Sequence, residues 1–296
     1  MSKFTDKLFS SIKEKGKKME AEMSFFEHLE ALRWHLIRAA AAILTFAILA
    51  FAFFDDIFHG VITAPIRTDF WTYRMMCSMG NTLHRSFSFV DPNDFCVKSI
   101  AFHFINTELA GQFNLQLNTS IMIGVILGIP YILFEIWRFI RPALLDKERK
   151  AASGFVFYAS FLFTLGVLFG YYVITPLSVR FFAGYTVSKD IENIFSIDGF
   201  ISSESWLTLL AGLVFQLPIV VYILSSLGIL TPKFMREKRR YAIIIVLLLA
   251  AIITPSPDAL TMMVVAMPLY LLFEFSIFIS AMVQRRKNKS EELMVL

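Results

Sequence analysis

Charge is scarce in this chain: Asp, Glu, Lys and Arg make up 18% of its 296 residues, where soluble domains usually carry about 25%. Apolar residues make up 56% and the mean hydropathy is +0.62. The excess lies in long runs, which excludes a soluble globular class and indicates an all-α integral membrane protein. With most residues spent on spans and short loops, no sizeable soluble domain fits. Cysteine is nearly absent, with two residues and no CxxC or Cys/His cluster, so metal and redox roles are not expected. The five histidines, His28, His35, His59, His84 and His103, have no ligand-like spacing. HExxH, GxSxG, Walker and GxGxxG patterns are missing. Enzymatic function, a cofactor and a nucleic-acid partner are therefore not expected. Nor is a signal peptide, because lysines alternate with acids until the first long apolar run begins near Trp34.

What is there divides into three parts. Residues 1–22 are rich in Lys and Glu, with Phe4, Leu8, Phe9 and Ile12 at roughly helical spacing. They read as an amphipathic helix on a membrane surface or as a charged tail. Residues 23–284 hold six apolar runs, and 285–296 form a basic tail. A helix needs about 20 residues to cross about 30 Å of hydrocarbon. The runs fall at about Trp34–Phe54, Gln112–Ile136, Phe155–Ile174, Trp206–Ile229, Tyr241–Ile253 and Ala259–Met282. Polar inserts, Asp55–Glu108 and Thr175–Glu204, follow the first and third. The fifth run has only thirteen residues, or about 20 Å of helix. It is either re-entrant or a span through thinned bilayer, and the latter is favoured because the sixth must return.

Lys and Arg distribute unevenly between the two sides of such a bundle. Of the 28, twenty-two fall before the first run, after the second and fourth, and in the tail. By the positive-inside rule, six spans with both termini cytoplasmic are expected. Cys77 and Cys96 then share the first exported loop, either as a disulfide or as two free thiols.

Polar groups inside the apolar runs are the informative residues, because a charge at mid-membrane costs about 2.5–3.5 kcal/mol on insertion scales. Gln216 lies in the fourth run, before Pro218, and Glu274 lies well inside the sixth. Each either bonds within the bundle or serves a partner or cavity. At the membrane surface, Glu30 stands near Arg33 and Arg38, and Glu148 among Lys147, Arg149 and Lys150. Such carboxylates can take up guanidinium groups by bidentate bonds. From charge alone, local surface salt bridges are the favoured reading.

The stretch Phe134–Lys150 links the second and third runs, and its break is expected near Arg141-Pro142. Phe134-Glu135-x-Trp137-x-Phe139-x-x-Pro142-Ala143-Leu144 with Glu148-Arg149 resembles the first cytoplasmic loop of TatC, the multispanning subunit of the twin-arginine (Sec-independent) protein translocase. His28-Leu29-Glu30-Ala31-Leu32-Arg33 resembles that family's HLxELR motif. Ala64-Pro65, Phe215-Gln216-Leu217-Pro218, Thr254-Pro255 with Asp258, and Pro268 with Phe273-Glu274 match in the same order. The resemblance covers residues 24–284.

It implies a concave six-helix bundle with a short final hairpin in a bacterial cytoplasmic (inner) membrane. It further implies a core receptor and scaffold that binds twin-arginine signal peptides of folded precursors at the cytoplasmic face. Glu148 would be the main guanidinium acceptor and Glu30 a second, with Phe139 and Pro142 shaping the wall. Arg33 would position the N-terminal segment, and Arg149 accompanies Glu148. Gln216, Thr254, Asp258 and Glu274 would form intramembrane polar groups, with Thr254 and Asp258 in the patch that docks the single-span subunits TatA and TatB. Membrane lipid, self-association within the complex and proton-motive-force-driven export belong to the same expectation. One departure is plain: the family's Glu before Leu-Arg is Ala31 here, and Glu30 sits about 100° around a helix from it. The alternative function is a proton- or solute-coupled transporter using Gln216 and Glu274, although no internal repeat supports it.

Overall fold

The computed structural model describes residues 25–86, 96, 103–141, 154–188, 194–254 and 259–295. The N-terminal segment 1–22 lies outside the described residues, as do Pro142, Glu148, Arg149 and Asp258. The chain is mostly helical. Its main helices are α1 (Phe25–Ala52), α2 (Trp71–Ser86), α3 (Gly111–Ile140), α4 (Phe155–Phe169), α5 (Thr175–Gly184), α6 (Ile197–Val214), α7 (Leu217–Ser226), α8 (Pro232–Glu237), α9 (Arg239–Ile253) and α10 (Ala259–Val295), with short helical turns over Phe54–Ile57, Phe58–Ile62 and Ala64–Ile66. Five segments are long and apolar enough to cross a membrane: Leu29–Ala52, Gly111–Ile140, Val156–Gly184, Ile197–Ser226 and Thr261–Arg285. The fifth apolar run forms α9, which has 15 residues, or about 22 Å of helix.

Small residues explain which helices touch. A Cβ on Gly124 would come within 2.8 Å of the Ala47 backbone and the Ile43 carbonyl. Four residues on, one on Gly128 would press on Ile43. This Gly-x-x-x-Gly stripe lets α3 lie directly against α1, as close-packed membrane helices require. Gly166 and Gly170 repeat the device between α4, its π-helical continuation Gly170–Ile174 and α6, meeting Gly212 and Thr208 at 2.8 Å. The largest buried cluster then joins Ile174, Ala211 and Phe215 to Val246 and Ala250 of α9 and Val265 and Leu269 of α10. A second unites Ile129, Phe163 and Leu209. Large apolar side chains cover the outside, among them Ile48, Phe157, Ile244 and Met263. That outward display suits lipid, not water.

The structure corrects several element boundaries. The insert Thr175–Glu204 is largely helical: α5 extends the third segment to Gly184, and α6 begins at Ile197. Hydroxyl-rich sequence misled there, because those hydroxyls bond back into their own helices. Ser178 donates to the Ile174 carbonyl at 2.8 Å, and Ser203 to the Gly199 carbonyl at 2.7 Å. The fourth segment turns at Gln216, between α6 and α7, ahead of Pro218. The first insert contains α2, whose Cys77 is bonded to Cys96. A two-stranded parallel sheet also departs from the all-α expectation, pairing β1 (His103–Ile105) with β2 (Ile194–Ser196), with Phe104 opposite Phe195. Helix α10 runs on through the basic tail to Val295.

One aromatic anchors the insert. Tyr73 is 2% exposed, and its hydroxyl lies 2.9 Å from the Pro65 carbonyl and 3.0 Å from that of Pro176. It clamps the Ala64-Pro65 turn onto the start of α5. Burial, reinforced by the negative charge of Glu204 and opposed by Arg180, holds its phenol well above the usual range.

Candidate functional site

At the end of the bundle where α1 begins and α3 finishes, the two helices present matching stripes. On α3, Tyr131, Glu135 and Arg138 recur at four and three residues, so they share a face. On α1, His35 and Arg38 do the same. The stripes meet at the Glu135 carboxylate, which is 2% exposed. His35 Nδ1 bonds one of its oxygens; an ionised carboxylate only accepts, so the ring nitrogen is the donor. Tyr131 Oη donates to the other oxygen at 2.9 Å. Arg38 Nε stands 3.6 Å from the His35-bonded oxygen, and Arg138 4.0 Å from its mate.

This carboxylate is thus buried but answered on every side, the condition under which a buried charge is tolerated. Phe139, one turn beyond Glu135, sets its ring edge-on to His35 with centroids 5.8 Å apart. Phe139 therefore belongs to this constellation.

Glu30 and Arg33 are exposed on α1, and Glu30 lies off the His35–Arg38 stripe. Ala31 lies on that stripe, at four and seven residues from His35 and Arg38. The position where the TatC motif carries Glu therefore faces the helix bearing Glu135. Neither His35 nor Glu135 stood out as a site residue in the sequence. The available signal was the pattern Tyr-x-x-Phe-Glu, which occurs at Tyr131–Glu135 and again at Tyr270–Glu274.

The other polar residues separate into independent sites. Gln216 donates to the Ala159 carbonyl of α4 at 3.0 Å. Thr254 is 3% exposed and donates to the Ala250 carbonyl of its own helix at 2.8 Å. Glu274 accepts from Arg239 at 2.7 Å and from Tyr270 at 2.9 Å. Glu204, on α6 at the end of the second polar insert, is a further acid; its Oε1 is buried and makes no hydrogen bond among the described residues. No cluster of three or more His, Cys, Asp or Glu able to hold a metal occurs among the described residues.

Known proteins resemble this chain over most of its length. The model of the family "Sec-independent protein translocase protein (TatC)" matches residues 27–268. The TatC of Blattabacterium sp. subsp. Periplaneta americana is 38% identical over 266 residues, 90% of this chain and 98% of its own length. That of Aquifex aeolicus is 30% identical over 271 residues, 91% of this chain and 100% of its own. A crystal structure of the twin arginine translocase receptor TatC superposes with a TM-score of 0.58 at 28% identity, covering 87% of this chain and 100% of that one. A second, in DDM, gives 0.62 at 30% identity, over 86% and 99%.

Proposed function

The chain belongs to the TatC family of Sec-independent protein translocase proteins, and on that premise we propose that it is the receptor of its translocase for twin-arginine signal peptides. The observation that carries the reading is the Glu135 knot. His35 and Arg38 fasten the start of α1 to Glu135 near the end of α3, Tyr131 holds the same carboxylate from its own helix, and Phe139 packs on His35. Two arginines in a signal peptide want carboxylates on a rigid surface. Glu30, exposed on α1, and Glu148, shortly after α3 in sequence, are the carboxylates offered to that pair. Glu135 itself is occupied by its own partners, so it positions the face and does not read the peptide. Because Ala31 carries no carboxylate on the inward stripe, recognition in this chain leans on Glu148, with Glu30 as second acceptor. Pro142 and Arg149 belong to the same recognition proposal by resemblance of sequence.

The same proposal covers the finer topology. Six spans, including the short α9, place both termini in the bacterial cytoplasm in accord with the charge distribution. TatA- and TatB-type subunits dock at the short α9–α10 hairpin near Thr254 and Asp258, and export draws on the proton motive force. Less supports the transporter alternative, since Gln216 donates to Ala159 and Glu274 accepts from Arg239 and Tyr270 within the bundle.

The test is site-specific photocrosslinking from residues 146–149 to a cargo precursor carrying either its arginine pair or Lys-Lys. Crosslinks are expected with the arginine pair and lost with Lys-Lys and in Glu148→Lys, which also stops export while the protein still inserts. Crosslinks indifferent to the pair, or normal export by Glu148→Lys, would overturn the assignment.

A further inference from the structure

We propose that the notch between the start of α9 and the far end of α10 is a binding site for an anionic phospholipid, its phosphate held by Arg236, Arg239 and Arg285. The notch follows from unequal helix lengths. Arg239 opens α9 level with Glu274, to which it is bonded at 2.7 Å. The apolar stretch of α10 continues for eleven more residues to Arg285, or about 16 Å. Beside that overhang, α9 is missing, and a cavity of about 380 Å³ opens in its place.

The lining has two characters. Arg236, Arg239 and Arg285 supply three guanidinium groups, against the single carboxylate of Glu274. That carboxylate already accepts from Arg239 and Tyr270, so among the described residues two positive charges remain unanswered within the notch. The other wall is apolar: Phe278 and Met282 line the cavity and are 60% and 43% exposed. A soluble anion has no use for that wall. A lipid has both parts: a phosphate that guanidinium binds by charge-assisted hydrogen bonds, and acyl chains that cover the outward face of α10. Arg285 ends the apolar stretch, so the mouth of the notch lies at the depth of lipid headgroups. Arg239, level with Glu274, is answered by that carboxylate, whereas Arg236 and Arg285 line the notch with no carboxylate of their own among the described residues. A headgroup drawn into the notch answers both and lets the bilayer follow the short helix. The site is independent of the signal-peptide reading, since no residue of the Glu135 knot takes part.

The experiment uses the full-length purified chain in neutral detergent, with native mass spectrometry to count bound lipid and thermal unfolding as a second readout. Phosphatidylglycerol, phosphatidylcholine and inorganic phosphate are added separately at equal concentration. Phosphatidylglycerol is expected to bind and raise the unfolding temperature. Phosphatidylcholine, whose choline is repelled by the arginines, and inorganic phosphate should do neither. The double variant Arg236→Gln/Arg285→Gln should bind phosphatidylglycerol about tenfold more weakly, whereas Arg74→Gln/Arg85→Gln, which removes the same charge elsewhere, should bind as the wild type does. Arg285→Gln alone keeps the Arg239–Glu274 pair and should show a smaller loss, which covers a double variant that fails to fold. Equal binding of the two lipids, an unchanged Arg236/Arg285 variant, or an equal loss in the control variant would each overturn the site. Displacement by inorganic phosphate at equal concentration would reassign it to a small soluble anion.

Discussion

Tyr131-Ile132-Leu133-Phe134-Glu135 and Tyr270-Leu271-Leu272-Phe273-Glu274 are nearly the same five residues, placed in two helices of the same molecule. Each carboxylate takes a hydrogen bond from the tyrosine one turn earlier, at 2.9 Å in both. Each meets an arginine from a neighbouring helix. The surroundings then diverge. Glu135 is 2% exposed and is also bonded to His35, whereas Glu274 is 31% exposed and lines the α9–α10 notch. The difference comes from the partner helix: α1 lies flush along α3 through Gly124 and Gly128, while α9 begins beside Glu274 and leaves the rest of α10 uncovered. One local motif therefore serves as a buried fastener in one place and as the rim of an open site in the other. Helix length, and not the motif, decides which.

The sharpest way to break this comparison is to remove each carboxylate in turn. Glu135→Ala leaves His35 and Arg38 facing an apolar gap, and losing one partner of a buried ion pair costs about 3–5 kcal/mol. Glu274→Ala removes a pair that solvent already screens, worth about 1 kcal/mol or less. Thermal or denaturant unfolding in one detergent should show the first variant strongly destabilised and the second close to wild type. Equal losses would mean that burial does not separate the two sites.

A second variant tests whether the knot depends on His35 or on the arginines. His35→Phe keeps an aromatic ring against Phe139 but deletes the Nδ1 donor. A hydrogen bond to a charged group is worth about 1.5–3 kcal/mol, so a loss in that range is expected on unfolding. If the variant is as stable as the wild type, Arg38 and Arg138 suffice to hold Glu135 and the histidine is only packing.

The pattern of apolar runs made much of this architecture legible in advance, since five of the segments are long enough to declare themselves. The Arg141 break was readable from Pro142, and α3 ends at Ile140. Less readable was anything that depends on which helices touch. His35 looked like an isolated histidine because its partner is a hundred residues away, a distance no local pattern spans. Glu204 was hidden among Ser202, Ser203 and Ser205, which mimic a loop but sit in α6. The bond from the Thr254 hydroxyl to the Ala250 carbonyl is likewise not visible in the sequence. Fold class lives in composition and periodicity, whereas a site built across helices lives in packing.

The smallest expected effect isolates burial most cleanly. Tyr131→Phe and Tyr270→Phe each delete one hydroxyl, from the same spacing and the same 2.9 Å bond to a carboxylate. They differ in the acceptor that is left behind. Glu135, sealed between α1 and α3, finds no water to replace the lost donor. Glu274, facing the notch, can be rehydrated at once. An unsatisfied buried acceptor costs about 1–3 kcal/mol, while the exposed one should lose a few tenths. The unfolding free energies of the two variants should therefore differ by about 1 kcal/mol, with Tyr131→Phe the weaker protein. Adding either substitution to its own Glu→Ala background should erase the effect, because the hydroxyl then has no carboxylate to serve. A penalty that persists in that background would assign the tyrosine's contribution to ring packing, and the two motifs would differ in shape rather than in hydration.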